Sequence, residues 1–138
     1  QDRGLEEQGT AEVRRPPAEH FALGRQLQTL RERGVLIVGS GNIVHNLRTM
    51  QRTARGDQAY DWAIEFDRVI GAQIAQGRLD ALSDFQSMGQ VAQLAHPTYE
   101  HYLPLLYAAG AVQDGEAPQF FNDKFQGASI SMRSVIWG

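Results

Sequence analysis

The sequence predicts an α/β fold with a central mixed sheet and flanking helices, and three stretches carry that prediction. "VLIVGS" at 35–40 sets four apolar residues, three of them β-branched, before a glycine, the pattern of a strand covered on both faces. "AYDWAIEFDRVIGAQIAQGR" repeats apolar side chains at helical spacing. "APQFFNDKFQGASISMRSVIWG", at the end of the chain, carries short apolar or alternating runs that suit strands.

Taken in order, residues 1–15 hold three Glu, one Asp and three Arg, with Leu5 and Val13 as the sizeable apolar side chains. That is too little to offset the entropy of ordering them, so a disordered lead-in is expected, with 16–138 as part of one domain. Pro16 and Pro17 suit a helix start, Leu23, Leu27 and Leu30 fall at i, i+4 and i+7, and Gly34 can end the helix. Residues 35–38 then form the expected central strand. A long helix follows, its stripe made by Trp62, Phe66, Val69, Ile70 and Ile74, with Asp61, Glu65 and Asp67 mostly outside it. Each buried side chain of that stripe contributes roughly 1.5–3 kcal/mol, so packing alone explains it.

"DALSDFQSMGQVAQLA" reads as one or two short helices. "HPTYEHYLPLLYAAGA" predicts a helix starting near Pro97, with a stripe of Tyr102, Leu105, Leu106 and Ala109 and Gly110 near its end. Pro104 is tolerated there only in the first turn or at a kink. The tail, with short apolar or alternating segments around Asn122 and Gly127, reads as two strands.

Composition narrows the function. The 138 residues are 42% hydrophobic and 21% charged with a formal net charge of -3, which argues against a general nucleic-acid binder. No apolar stretch approaches the roughly 20 residues that span a bilayer, and the beginning lacks the apolar core of a signal peptide, so a cytoplasmic protein without a membrane partner is expected. Cysteine is absent, so any metal must be held by His, Asp or Glu.

The glycines after the apolar run invite a nucleotide reading, which fails. After Gly39 and Gly41 a dinucleotide fingerprint needs glycine where Val44 stands, and the sole lysine, Lys124, cannot complete a phosphate loop. A tight turn or a close packing contact is the simpler role for both glycines. Four histidines remain as candidates: His20, His45, His96 and His101. His45 follows the glycines, where a short loop can aim its ring into the crevice at the carboxyl end of a strand; taken alone, such a residue is more often a hydrogen-bonded structural histidine than a ligand. Adjacent helical positions diverge by about 100°, so only one of Glu100 and His101 readily serves a given site. His20 reads as a surface or packing residue and His96 as a loop or cap residue.

"PPAEHFALGRQLQTLRERGVLIVGSGNIVHNLR", "DWAIEFD", "HPTYEHYLPLLYAAGA" and "ASISMRSVIWG" together resemble the C-terminal half of the DOPA 4,5-dioxygenase-like branch of the class III extradiol ring-cleavage dioxygenases. The resemblance runs in order from about residue 16 to the end of the chain. It implies a mononuclear metal site in an α/β fold, with Fe(II) as the catalytic ion or Zn(II) in its place, acting on a catechol-type substrate and O2. The family's V-H-N-L histidine falls on His45 and its E-H-x-L-P histidine on His101, and the resemblance implies both as metal ligands. In the wider superfamily the position of His45 is the acid/base that handles the catechol proton, so ligand and catalytic roles both stand for it.

Tyr99 replaces a common Pro of the second motif. The family's Gly-His-Gly-Ser-Pro, Ser-Ala-His and Asp-His-Gly motifs, which bring further ligands and a segment near the substrate, do not occur in this sequence. The expectation is therefore a truncated chain with half the usual ligand set. Apolar surface left uncovered in such a chain would favour self-association. The alternative function is a non-catalytic α/β remnant that acts as a binding or assembly module.

Overall fold

The structure is a computed structural model in which residues 13–138 are described. Most of the expected lead-in, residues 1–12, lies outside the described residues, while Val13, Arg14 and Arg15 are exposed. The chain adopts the mixed α/β class. Among the described residues five α-helices run in order: α1 (Pro17–Gln26), α2 (Gln28–Arg31), α3 (Asp61–Ala75), α4 (Gln90–Ala95) and α5 (Leu103–Gly110). Two 3₁₀ segments, Leu47–Thr49 and Asp80–Met88, lie between them.

Pro17 opens α1 as expected, because proline lacks only an amide that a first helical turn leaves unused. The buried face of α1 is His20, Phe21 and Gly24; Leu23, Leu27 and Leu30 are half-buried. The reason is the partner. Helix α5 crosses α1 so closely that a Cβ on Gly24 would sit 2.5 Å from the Tyr107 carbonyl oxygen, and leucines cannot line a crossing of that kind. His20 is fully buried there, its Nδ1 2.7 Å from the Tyr107 hydroxyl, which makes it a packing residue.

Helix α3 buries Phe66, Ile70 and Ile74 as the sequence stripe requires. Asp67, expected outside the stripe, is only 4% exposed. Its burial is compensated: Asp67 accepts hydrogen bonds from Arg133 Nη2 at 2.8 Å and from the Ser131 hydroxyl at 2.5 Å. Tyr102, Leu82, Leu103 and Leu106 complete the core, and the Tyr102 hydroxyl donates to the Leu82 carbonyl at 2.7 Å. Helix α5 begins at Leu103, later than the sequence suggests, and Pro104 falls in its first turn, where no helical hydrogen bond is lost.

The strands form two small antiparallel sheets at the end of the chain. β1 (Pro118–Phe121) pairs with β4 (Ser134–Trp137), and β2 (Phe125–Gln126) pairs with β3 (Ile130–Ser131). Asn122, at φ 52°, supports the reversal between β1 and β2, a left-handed backbone that asparagine tolerates better than most residues.

The run 35–38, expected as a central strand, belongs to neither sheet. Leu36 is 80% exposed and Val38 76%. A strand is defined by its neighbours, and among the described residues none lies alongside this run. It instead borders an open groove of about 390 Å³ shared with Leu105, Phe121, Ile136 and Trp137. No helix of the described residues is long and apolar enough to cross a membrane.

Candidate functional site

The glycines of the opening motif serve a close crossing. Residues 39–42 pass over the N-terminal end of α5, where a Cβ on Gly39 would lie 2.5 Å from the Pro104 carbonyl oxygen and one on Gly41 would overlap the His101 carbonyl. Only glycine permits that approach. The Asn42 amide then donates to the His101 carbonyl at 2.9 Å, fixing the two segments against each other.

Beyond Asn42 the chain is held from two sides. On one side the His45 amide donates to the Ala95 carbonyl at 2.9 Å and the Asn46 side-chain amide to the Leu94 carbonyl at 2.8 Å. These are carbonyls of the last turn of α4, which has no further helical amides to occupy them. On the other side the Asn46 amide donates to the Ser129 carbonyl at 3.1 Å, and the Ser131 amide to the Val44 carbonyl at 3.0 Å. Asn46 also caps the 3₁₀ segment, its side-chain oxygen accepting from the Arg48 and Thr49 amides at 3.1 and 3.3 Å.

The outcome is that His45 and His101, 56 positions apart in sequence, meet face to face. Their ring centroids are 3.7 Å apart and the planes differ by 24°. The His101 side chain is 43% exposed and His45 is half-buried, so the pair sits at the surface. Burial and the neighbouring His101 ring lower the His45 pKa, which favours its neutral form with a free lone pair. Glu100 Oε1 lies 3.8 Å from His101 Nε2 and accepts from the Thr98 hydroxyl at 2.8 Å. Its own backbone amide, with help from that hydroxyl, holds the Glu100 carboxyl below the usual carboxylate range.

His96 is the residue that sequence reasoning undervalued. It caps the end of α4, is 5% exposed, and places Nε2 2.5 Å from the Ile43 carbonyl oxygen, two positions before His45. Its ring stands edge-on to Phe66 and Tyr102, with centroids 5.5 and 5.3 Å away. Burial pushes its pKa down to about 4. Spacing alone offered no signal of this contact, since it depends on how α4 lies beside residues 43–46. His20, by contrast, is engaged with Tyr107 and the Arg15 carbonyl and does not join the pair.

Imidazole nitrogens are suitable donors for a divalent first-row ion. Among the described residues, no group of three or more His, Cys, Asp or Glu side chains converges on a common point that could hold a metal. Stacked rings also direct their in-plane lone pairs side by side. With metal–nitrogen bonds of about 2.0–2.1 Å, two imidazoles on one ion need centroids about 4.5–5 Å apart and a wider angle between planes. The pair as it stands has the right chemistry and proximity for two ligands of a larger set, and must open slightly to act as one.

Residues 10–135 match the family described as the catalytic LigB subunit of aromatic ring-opening dioxygenase. The chain belongs to this family. It is similar to the 4,5-DOPA dioxygenase extradiol of Escherichia coli (strain K12), with 40% identity over 128 residues that cover 90% of this chain and 46% of that protein. The protein of the same name from Portulaca grandiflora is 38% identical over 93 residues, covering 67% of this chain and 34% of its own length. The crystal structure of an uncharacterized Escherichia coli K12 protein superposes with a TM-score of 0.81 at 37% identity, over 90% of this chain and 51% of that one. The chain thus spans about a third to a half of the length of these relatives.

Proposed function

We propose that this chain forms part of an extradiol dioxygenase that opens a catechol-type ring with O2, and that His45 and His101 are two of the ligands of its metal ion. The observation that carries the reading is the 3.7 Å ring pair, assembled by backbone bonds from two distant motifs in a member of a ring-opening dioxygenase family. Fe(II) is the ion that suits the oxygen chemistry, and Zn(II) suits the same imidazoles. When bound, such an ion supplies Lewis acidity that makes a coordinated phenol easier to deprotonate.

The residues of this chain supply geometry and a proton acceptor. His45 is neutral at pH 7, so its imidazole is free either to coordinate or to take a proton from a catechol hydroxyl. His101, more open to solvent, is the imidazole better placed to swing outward. Glu100 beside it favours a cation at this point of the surface. The names of the relatives point to DOPA or a similar catechol as substrate.

Calorimetric titration with Zn(II) tests the ligand assignment. Saturable binding is expected that His45→Ala and His101→Ala each weaken at least tenfold; unchanged binding in both variants removes it. Oxygen uptake with 4-methylcatechol or DOPA and Fe(II), measured on a chain that includes the rest of the family domain, tests the activity.

A second reading rests on the exposure of Leu36 and Val38. An apolar, unpaired run of this kind is a template for strand addition, and we infer that the isolated chain self-associates through it.

A further inference from the structure

We propose that His96 is a positioning residue for His45, its Nε2–H holding the Ile43 carbonyl so that the following turn delivers the His45 ring against His101. The inference rests on the reading of His45 and His101 as a joint donor pair, and deepens it. Three consecutive residues at the end of α4 engage the segment that carries His45: Leu94 and Ala95 through carbonyls that accept from Asn46 and His45, and His96 through its side chain to Ile43. The first two bonds run toward α4 and the third runs back from it. Together they grip both sides of Val44, which is fully buried.

Of these three residues of the α4 end, His96 alone makes its bond with a side chain, so it is the one whose own substitution removes the contact. A carbonyl oxygen accepts and cannot donate, so Nε2 of His96 must carry the proton. Nδ1 is then a bare acceptor, and it is buried without a hydrogen-bond partner among the described residues. A buried unpaired polar atom is costly, and an apolar residue of similar shape would avoid that cost. Phe66, Phe85 and Tyr102 surround the ring, a setting in which phenylalanine would pack as well. Packing therefore does not account for the imidazole, and the bond to Ile43 is the role the structure assigns to it.

The test compares His96→Phe, which keeps a ring in the box and removes the donor, with His96→Gln, which restores an N–H donor. NMR reads the His101 ring protons, which the stacked His45 ring shifts upfield relative to the His45→Ala variant. His96→Phe is expected to lose most of that shift and to weaken Zn(II) binding about tenfold, as other groups that orient a ligand do, while circular dichroism stays unchanged. His96→Gln is expected to recover part of both. A folded His96→Phe chain with the full upfield shift overturns the proposal. In the unsubstituted chain, ¹⁵N spectra of the imidazoles should show the Nε2–H tautomer at His96; the Nδ1–H tautomer overturns the proposal even if no variant folds. Should the unsubstituted chain bind Zn(II) no better than the His45→Ala/His101→Ala double variant, the metal reading falls alone, and the ring shift still decides the role of His96.

Discussion

The rings of His45 and His101 lie parallel to within 24° with their centroids 3.7 Å apart, closer than two imidazoles bound to one ion can be. Metal binding must therefore unstack them. Titrating Zn(II) into the chain is expected to abolish the mutual upfield shifts of the two rings at one equivalent. Shifts that persist at saturation place the ion elsewhere.

Gly41 is the hinge of the crossing. Gly41→Ala drives a methyl group into the His101 carbonyl, and the strain is expected to cost about 1–3 kcal/mol in urea unfolding. The same substitution should separate the two rings and weaken Zn(II) binding. A variant as stable as the parent, with the pair still stacked, would show that the crossing has slack.

Acid should weaken the fold through His96. An unfolded histidine takes up a proton as pH falls through about 6.5, whereas the folded His96 resists until about 4. Stability from this group is full above 6.5, declines by about 3 kcal/mol between 6.5 and 4, and changes no further below that. His45, lowered in the same direction by burial and the neighbouring His101 ring, adds to the decline below 6.5. Urea midpoints between pH 7 and 4.5 should fall accordingly, and His96→Gln should flatten the slope.

The tail is fastened by charge. Asp67 accepts from Arg133 and Ser131 while nearly enclosed, so Asp67→Ala leaves the Arg133 cation, with 17% side-chain exposure, facing a void and paired only with the exposed Asp123, 3.2 Å from its Nη2, among the described residues. A loss of about 3 kcal/mol or more is expected. Adding Arg133→Met should recover much of it, because the enclosed charge that has lost its buried partner is then gone; a double variant as unstable as the single one would locate the defect in packing.

Leu36 and Val38 give the last prediction. Leu36→Lys/Val38→Lys should shift the chain from a self-associated species to a monomer in size-exclusion chromatography, with little change in fold because both side chains are exposed. A parent chain that is monomeric at high concentration excludes the association.

The local signals in the sequence were reliable wherever a side chain's partner was the core in general. Pro17 opens α1, Pro104 sits in the first turn of α5, and Phe66, Ile70 and Ile74 point inward, since helical periodicity and proline stereochemistry act within a few residues. They misled where a particular distant partner decides the outcome. Asp67 looked like a solvent-facing carboxylate because Arg133 is 66 positions away, and 35–38 looked like an interior strand because its apolar pattern does not say what covers it. The motifs around His45 and His101 marked both candidates, yet nothing in their spacing says that the rings meet.

What the sequence by itself determined is chemical: no thiol ligands, no phosphate loop, four imidazoles, and two specific motifs that place the chain among ring-opening dioxygenases. What only the tertiary structure decided is which of those imidazoles share a surface and which residue aims them. The physical reason is that the last carbonyls of α4, the bare glycine backbone at 39–41 and the ring of His96 act across gaps of tens of residues. Hydrogen bonds and steric clearance at that range exist only once the chain has closed on itself.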